Sequence, residues 1–366
     1  MSTPVRILHI VTHMNRGGLE TMIMNYYRHI DRKRIQFDFL VHRDQEADYD
    51  SEIRSLGGII YRIPPLNPFS RNYLTALDSF FATHSEYKIV HCHLDCMAGI
   101  PLKYAKKHNV PVRIAHAHTC SQDKDAKYFL KLLYKRNIHH YATDLFACGA
   151  QAGQWMFRTH DFTILNNAID AASYVFQTNV RQSMRNGLGI VENILVIGHV
   201  GRFSPPKNHR FLLQVFACIA RTTPSAKLLL VGDGSLRGSI EQQANALGIR
   251  DQIIFTGVRS DIPQLLQAMD VFLFPSLYEG LSIAIIEAQA AGLPCLISDS
   301  IPEECKKTEL VHLLPLSQSA DIWAQELLRI RSLPRKNTLA EIQSAGFDIQ
   351  ENTLWLQNYY LSHYPR

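Results

Sequence analysis

Apolar residues fall in short runs along this chain, and most runs are followed by a stretch whose apolar positions recur at helical spacing. Residues 5–11, 37–41, 59–63, 89–92, 112–115, 145–147 and 162–165 read as strands. The rhythm repeats at 194–200, 228–231, 253–255, 271–274 and 295–297, which implies a second parallel sheet. Strand signals lapse between 168 and 192, so the chain divides into a first domain over 1–170 and a second over 171–349. A chain of 366 residues gives each of them enough length to bury its own core. Near the end, 353–364 carries apolar and aromatic residues at helical spacing.

One stretch, 271–297, holds more chemistry than any other. The run VFLF is short and wholly apolar, as in a strand covered on both faces, and Pro275 stops it. A helix is expected over 281–291, ended by Gly292, with the next strand opening at Pro294. Ligands collect at such a strand-to-helix turn, because the first amides of the helix have no internal partner and attract anions. Glu279 and Glu287 bracket the turn. In one continuous helix they would stand about 12 Å apart, too far for the close carboxylate pair of a glycoside hydrolase. They read as two ends of a ligand site, with Glu287 accepting from adjacent hydroxyls and the backbone of Gly280, Leu281, Ser282 and Ile283 facing a phosphate. The plain alternative is two solvated carboxylates. Against it, Glu287 lies among Ile285, Ile286, Ala288 and Ala290.

Elsewhere, Gly17 and Gly18 sit at a strand-to-helix turn, where paired glycines serve either close approach to a ligand or a tight turn alone. Neither this loop nor 232–237 completes G-x-G-x-x-G, which argues against a dinucleotide oxidoreductase. Arg202 and Lys207 flank a loop stiffened by Pro205 and Pro206, and together they can neutralise a diphosphate without metal. The pairs His91 and His93, His116 and His118, and His139 and His140 invite a metal reading. Pairs leaving a strand are expected to divide between its two faces, and no carboxylate repeats a known spacing, so no metal is expected. His118, just past a strand, is either a ligand contact or a histidine at the domain rim. Asp123 and Asp125 form a D-x-D, read as the start of a helix. Lys127, Lys131, Lys135 and Arg136 after them read as a solvated face or a surface against lipid headgroups.

Composition narrows the class. A net charge of +5 is too mild for a dedicated nucleic-acid binder. Seven cysteines without C-x-x-C spacing read as reduced core residues. No apolar run approaches the roughly 20 residues of a membrane span, and 1–11 lacks a secretory signal, so a cytoplasmic location is expected.

The motifs EGLSIAIIE and EAQAAGLP, with VGRFSPPKN, LLLVGDGSLR, FTGV and LNNAID, resemble those of the retaining glycosyltransferases of family four, whose signature is E-x7-E. The resemblance spans nearly the whole chain and is nearest to bacterial enzymes of exopolysaccharide and capsule synthesis. It implies the GT-B fold, an α/β architecture of two facing Rossmann-like domains with a cleft between them, the last helix (350–366) crossing back onto the first. It also implies transfer from a nucleotide diphosphate sugar, UDP-linked, to a saccharide or lipid-linked acceptor, with no cofactor. The expected location is the cytoplasm, either free or peripheral at the inner face of the membrane. His118 and Glu279 would be catalytic. Gly17, Gly18, Arg202, Lys207, Val258, Arg259, the backbone from Gly280 to Ile283, and Glu287 would hold the donor. The Phe-Gly common after the first Glu-Gly is absent, which leaves the donor sugar open. A nucleotide-sugar epimerase of the same fold, or a silent nucleotide-binding homologue, are the alternatives.

Overall fold

The computed structural model describes residues 3–119 and 128–365. The acidic pair Asp123 and Asp125, with Lys127, lies outside the described residues. The chain forms two compact units, Met1–Ala168 with Ile349–Arg366, and Ile169–Asp348.

The first unit is built on a parallel sheet of β1 (Val5–Val11), β2 (Ile35–Val41), β3 (Ile60–Arg62), β4 (Ile89–Cys92), β5 (Val112–Ala117), β6 (Asp144–Ala147) and β7 (Thr163–Ile164). Their order is β3-β2-β1-β4-β5-β6-β7. The second carries β8 (Val196–Val200), β9 (Lys227–Val231), β10 (Ile253–Gly257), β11 (Val271–Phe274), β12 (Cys295–Ser298) and β13 (Val311–Leu314), in the order β10-β9-β8-β11-β12-β13. Every pairing within the two sheets is parallel. Both sheets therefore reverse their winding beside their first strand, between β1 and β4 and between β8 and β11. Loops at the carboxyl ends of those strands diverge to opposite faces and leave room for a ligand.

Central strands are buried on both faces. Ile7, Leu8, Ile10 and Val11 in β1 and all four residues of β11 have no exposed area, as their unbroken apolar runs predict. The helix Gly18–His29 covers one face of the first sheet together with the final helix, Ile349–His363, whose Gln357 Oε1 accepts from the Asp31 amide at 3.1 Å.

Several expectations need correction. The helix after β11 runs Ile283–Ala290, shorter at its start than the sequence pattern implied, so Gly280 and Leu281 belong to the loop. Gly292 does end it, at a φ of 69°, where a side chain would strike the Lys336 carbonyl. β13 went unread in the sequence. Lys135 is not on a solvated face: its ammonium is buried over the Trp155 ring at 3.8 Å and donates to the Trp155 carbonyl, while Phe129 and Leu133 of the same helix are exposed. Cys92, Cys96, Cys218, Cys295 and Cys305 are free thiols. None of the described helices is long and apolar enough to cross a membrane.

Candidate functional site

In the second unit, the loops after β8 and β11 are tied to each other. Leu277 N donates to the Pro206 carbonyl at 2.8 Å, and Asn208 Nδ2 donates to the Pro275 carbonyl at 3.1 Å. Lys207 Nζ lies 2.7 Å from Glu279 Oε1 and 4.6 Å from the centre of the Phe274 ring. The two residues read separately as phosphate and sugar contacts thus form one ion pair, mostly shielded from water. Arg202 is exposed and has no side-chain partner among the described residues.

Glu287 sits on the helix Ile283–Ala290 with 7% of its surface exposed. The Tyr174 hydroxyl donates to its Oε1 at 2.6 Å. Burial pushes the carboxyl up to about 7, and that hydroxyl only partly offsets the cost of charging it. A carboxylate in this setting gains from further donors. Ser282 caps the helix without a side-chain bond, so the cap leaves the leading amides without a protein acceptor from its hydroxyl. The Cys305 thiol donates to the Gly280 carbonyl at 3.6 Å and fixes the approach to this turn.

Val258 and Arg259 follow β10, at the sheet edge, two strands from β8. Val258 is half-exposed, and the Arg259 fork is taken by Asp261 at 2.8 and 2.6 Å. The structure thus gathers Lys207, Glu279, the loop from Gly280 to Ser282, Ile283 and Glu287 around the carboxyl ends of β8 and β11, and sets Val258 and Arg259 apart. Tyr174 was missed in the sequence. A buried tyrosine hydroxyl requires a partner, but no spacing relates it to a glutamate so distant in the chain.

In the first unit, Gly17 is the extended cap of the helix Gly18–His29, with φ −116°. A Cβ added at Gly18 would meet nothing within 4 Å, so the protein's own packing does not demand glycine there. His118 follows β5. Its amide donates to Asp95 Oδ1 at 2.8 Å, and burial lifts the Asp95 carboxyl to about 6.

The histidines do not divide between faces. Successive side chains of a strand alternate, so residues two apart share a face, and His9, His91, His93, His116 and His118 converge there. His9 Nδ1 lies 3.0 Å from His93 Nε2, and His93 Nδ1 lies 2.9 Å from His118 Nε2. A second chain runs from the Tyr360 hydroxyl to His91 Nδ1 at 2.6 Å and from His91 Nε2 to His116 Nδ1 at 3.0 Å. The ring atoms of His9, His91 and His93, and those of His93, His116 and His118, fall within 4.8 Å of one another, inside the range a metal could bridge. Burial pushes all five rings below their ordinary range and keeps them neutral. His139 stands elsewhere, bonded to the Phe157 carbonyl.

Two Rossmann-like units of this topology define the GT-B class. Residues 16–172 match the model of Glycosyltransferase Family 4, and residues 194–332 match that of Glycosyl transferases group 1. The chain is 37% identical to the putative glycosyltransferase EpsF of Bacillus subtilis over 98% of its own length and 97% of that protein. It is 25% identical to the Escherichia coli UDP-Gal:alpha-D-GlcNAc-diphosphoundecaprenol alpha-1,3-galactosyltransferase, covering 75% of this chain and 76% of that one. Among solved structures, Anabaena Alr3699/HepE in complex with UDP and glucose superposes with a TM-score of 0.80 at 20% identity, over 97% of this chain and 99% of the other. The chain belongs to the family 4 glycosyltransferases.

Proposed function

We propose that the enzyme transfers a sugar, with retention, from a UDP-linked donor to a saccharide or lipid-linked saccharide acceptor during synthesis of a surface polysaccharide. The observation that carries this reading is Glu287: a carboxyl buried at the reversal point of the second sheet, with the Tyr174 hydroxyl on one oxygen and a charged form that further donors would stabilise. Two adjacent ribose hydroxyls are donors of that kind. Arg202, Lys207 and the amides from Gly280 to Ile283 then take the diphosphate. Val258 and Arg259 lie toward the base, and Glu279 toward the sugar. Gly17, Gly18 and His118 act from the first unit, on the sugar and acceptor. No metal is needed on this reading, because Arg202 and Lys207 offset the diphosphate charge.

Known relatives support the substrate class. The Escherichia coli relative is named for a UDP-galactose donor and a diphosphoundecaprenol-linked acceptor, and a Staphylococcus aureus relative, 25% identical, for capsular polysaccharide biosynthesis. Chemistry would come from orientation and from stabilising charge on the departing diphosphate.

The test is a screen of UDP-sugars and other nucleotide sugars against free and lipid-linked saccharides, with anomeric configuration read by NMR. A product formed from a UDP-sugar without any acceptor would favour the epimerase reading instead. Calorimetry of UDP binding in excess chelator tests the metal-free site, and loss of binding there would overturn it.

A further inference from the structure

His9 in β1, His93 after β4 and His118 after β5 form a linear chain in which Nδ1 of each ring meets Nε2 of the next, at 3.0 and 2.9 Å. Both outer nitrogens, His9 Nε2 and His118 Nδ1, are buried and have no partner among the described residues. We propose that this chain is a tautomer relay: the three rings hold the same tautomer at any moment and thereby decide together whether His118 Nδ1 presents a hydrogen or a lone pair.

The argument is one of hydrogen count. A neutral imidazole has one N–H and one lone pair. If His9 carries its hydrogen on Nδ1, it donates to His93 Nε2, so His93 must carry its own on Nδ1 and donate to His118 Nε2, and His118 is left with Nδ1–H. Reversing the first ring reverses all three. Any mixed set brings two hydrogens or two lone pairs face to face within a buried contact. Passing from one register to the other adds one proton at one outer nitrogen and removes one at the other, exchanged with solvent only when the buried face opens, with no change in net charge.

The surroundings favour neutral rings. His9 packs against Phe37, with centroids 4.2 Å apart, and against Phe39 and Tyr360. The other titratable neighbours are His91 and His116, themselves kept neutral by burial, and Asp95, which is engaged by the His118 amide. A shared metal fits the distances less well. Two imidazoles on a tetrahedral zinc at its usual bond length stand about 3.4 Å apart, and both contacts are shorter than that.

The functional consequence rests on the reading above, in which His118 meets the transferred sugar. His118 Nδ1 is buried, so a hydroxyl meets it only where binding uncovers that atom, and a ring that can offer either a donor or an acceptor then orients the sugar without being charged. His9 and His93 are then positioning residues that act through His118.

The experiment needs no sugar, so its failure is distinguishable from failure of the transfer reading. Full-length protein labelled with 15N-histidine is examined by long-range 1H–15N correlation between pH 7 and 8. The expected result is three neutral rings with the same tautomer, all Nδ1–H, all Nε2–H, or exchanging in one ratio. His9→Phe keeps the packing and cuts the chain at its far end, and it should change the His118 tautomer ratio at least threefold. Mixed tautomers in the unsubstituted protein, an imidazolium among the three, stoichiometric zinc in the purified protein, or an unchanged His118 ratio in folded His9→Phe would each overturn the relay. Should His9→Phe not fold, the unsubstituted spectrum alone decides.

Discussion

The Tyr174 hydroxyl and the Glu287 carboxylate meet at 2.6 Å, both buried, across an interval of 113 residues. The contact holds Oε1 in place and fixes the orientation of the carboxyl. Glu287→Ala should weaken UDP binding by about 1.5–3 kcal/mol, the range for hydrogen bonds to a charged group, and Tyr174→Phe by about 0.5–1.5 kcal/mol. Isothermal calorimetry measures both. Unchanged affinity in Glu287→Ala would remove the ribose assignment.

The same carboxyl makes binding depend on pH. Because burial raises it to about 7, it is largely protonated at pH 6 and ionised at pH 8, and donors from a ligand favour the ionised form. UDP affinity should therefore fall from pH 8 to pH 6, by up to about tenfold per unit below the midpoint, and Glu287→Gln should flatten the curve. Stability moves the other way. A carboxyl raised on folding favours the folded state below its unfolded value and loses that contribution as pH rises through about 7. Glu287→Gln should accordingly raise Tm relative to the unsubstituted protein more at pH 8 than at pH 5, for a gain on the order of 3 kcal/mol.

Lys207 and Glu279 share one ion pair, so their substitutions should have unlike effects. Removing the cation in Lys207→Ala should weaken UDP binding and slow transfer. Neutralising its partner in Glu279→Gln frees the ammonium for the diphosphate and should tighten UDP binding by about 0.5–1 kcal/mol, the scale of a partly exposed pair, while transfer falls. Weaker UDP binding in Glu279→Gln would mean that the carboxylate positions the lysine and does not compete for it.

His118→Ala should leave UDP affinity within about threefold and lower transfer about 100-fold, or ~2.7 kcal/mol of transition-state stabilisation. Single-turnover rates with saturating donor separate the two quantities. Transfer at the unsubstituted rate would return His118 to a purely structural role.

Acid should unfold the first unit by way of its histidines. Burial holds His9 at about 3 and His42 at about 4, and lowers His91, His93 and His116 as well. Groups depressed on folding contribute stability above their unfolded value, near 6.5, and that contribution drains away as pH falls toward the folded values. Urea midpoints at pH 7.5, 6 and 5 should decline with increasing slope. A flat profile would show that these rings charge without loss of structure.

Much of this was legible before any coordinates. β1, β4 and β11 have the bounds their apolar runs implied, because strands buried on both faces leave an unbroken signal. β13 was not read because it lies at the sheet edge, half-exposed, with His312 interrupting its apolar residues. The isolation of Glu287 among apolar neighbours foretold its burial, whereas Tyr174 could be found only once the fold brought it there. The histidine face was misjudged for want of applying the two-residue period of a strand to residues that continue beyond its last ladder bond. Lys135 shows the limit of helical spacing: its charge turns inward because the Trp155 ring and carbonyl receive it there, a partner that lies beyond the local sequence.

The return of Ile349–His363 to the first unit sets an order of events at the ribosome. Tyr360, which bonds His91 and packs edge-on to Phe37, is made after the whole of the second unit. The second unit is contiguous and can complete its sheet while that helix is still in the exit tunnel, but the first must wait with its histidine face uncovered. Nascent chains stopped after residue 348 should present a protease-resistant second unit and a first unit that stays open to cleavage, and extension of the chain through the helix Ile349–His363 should close it.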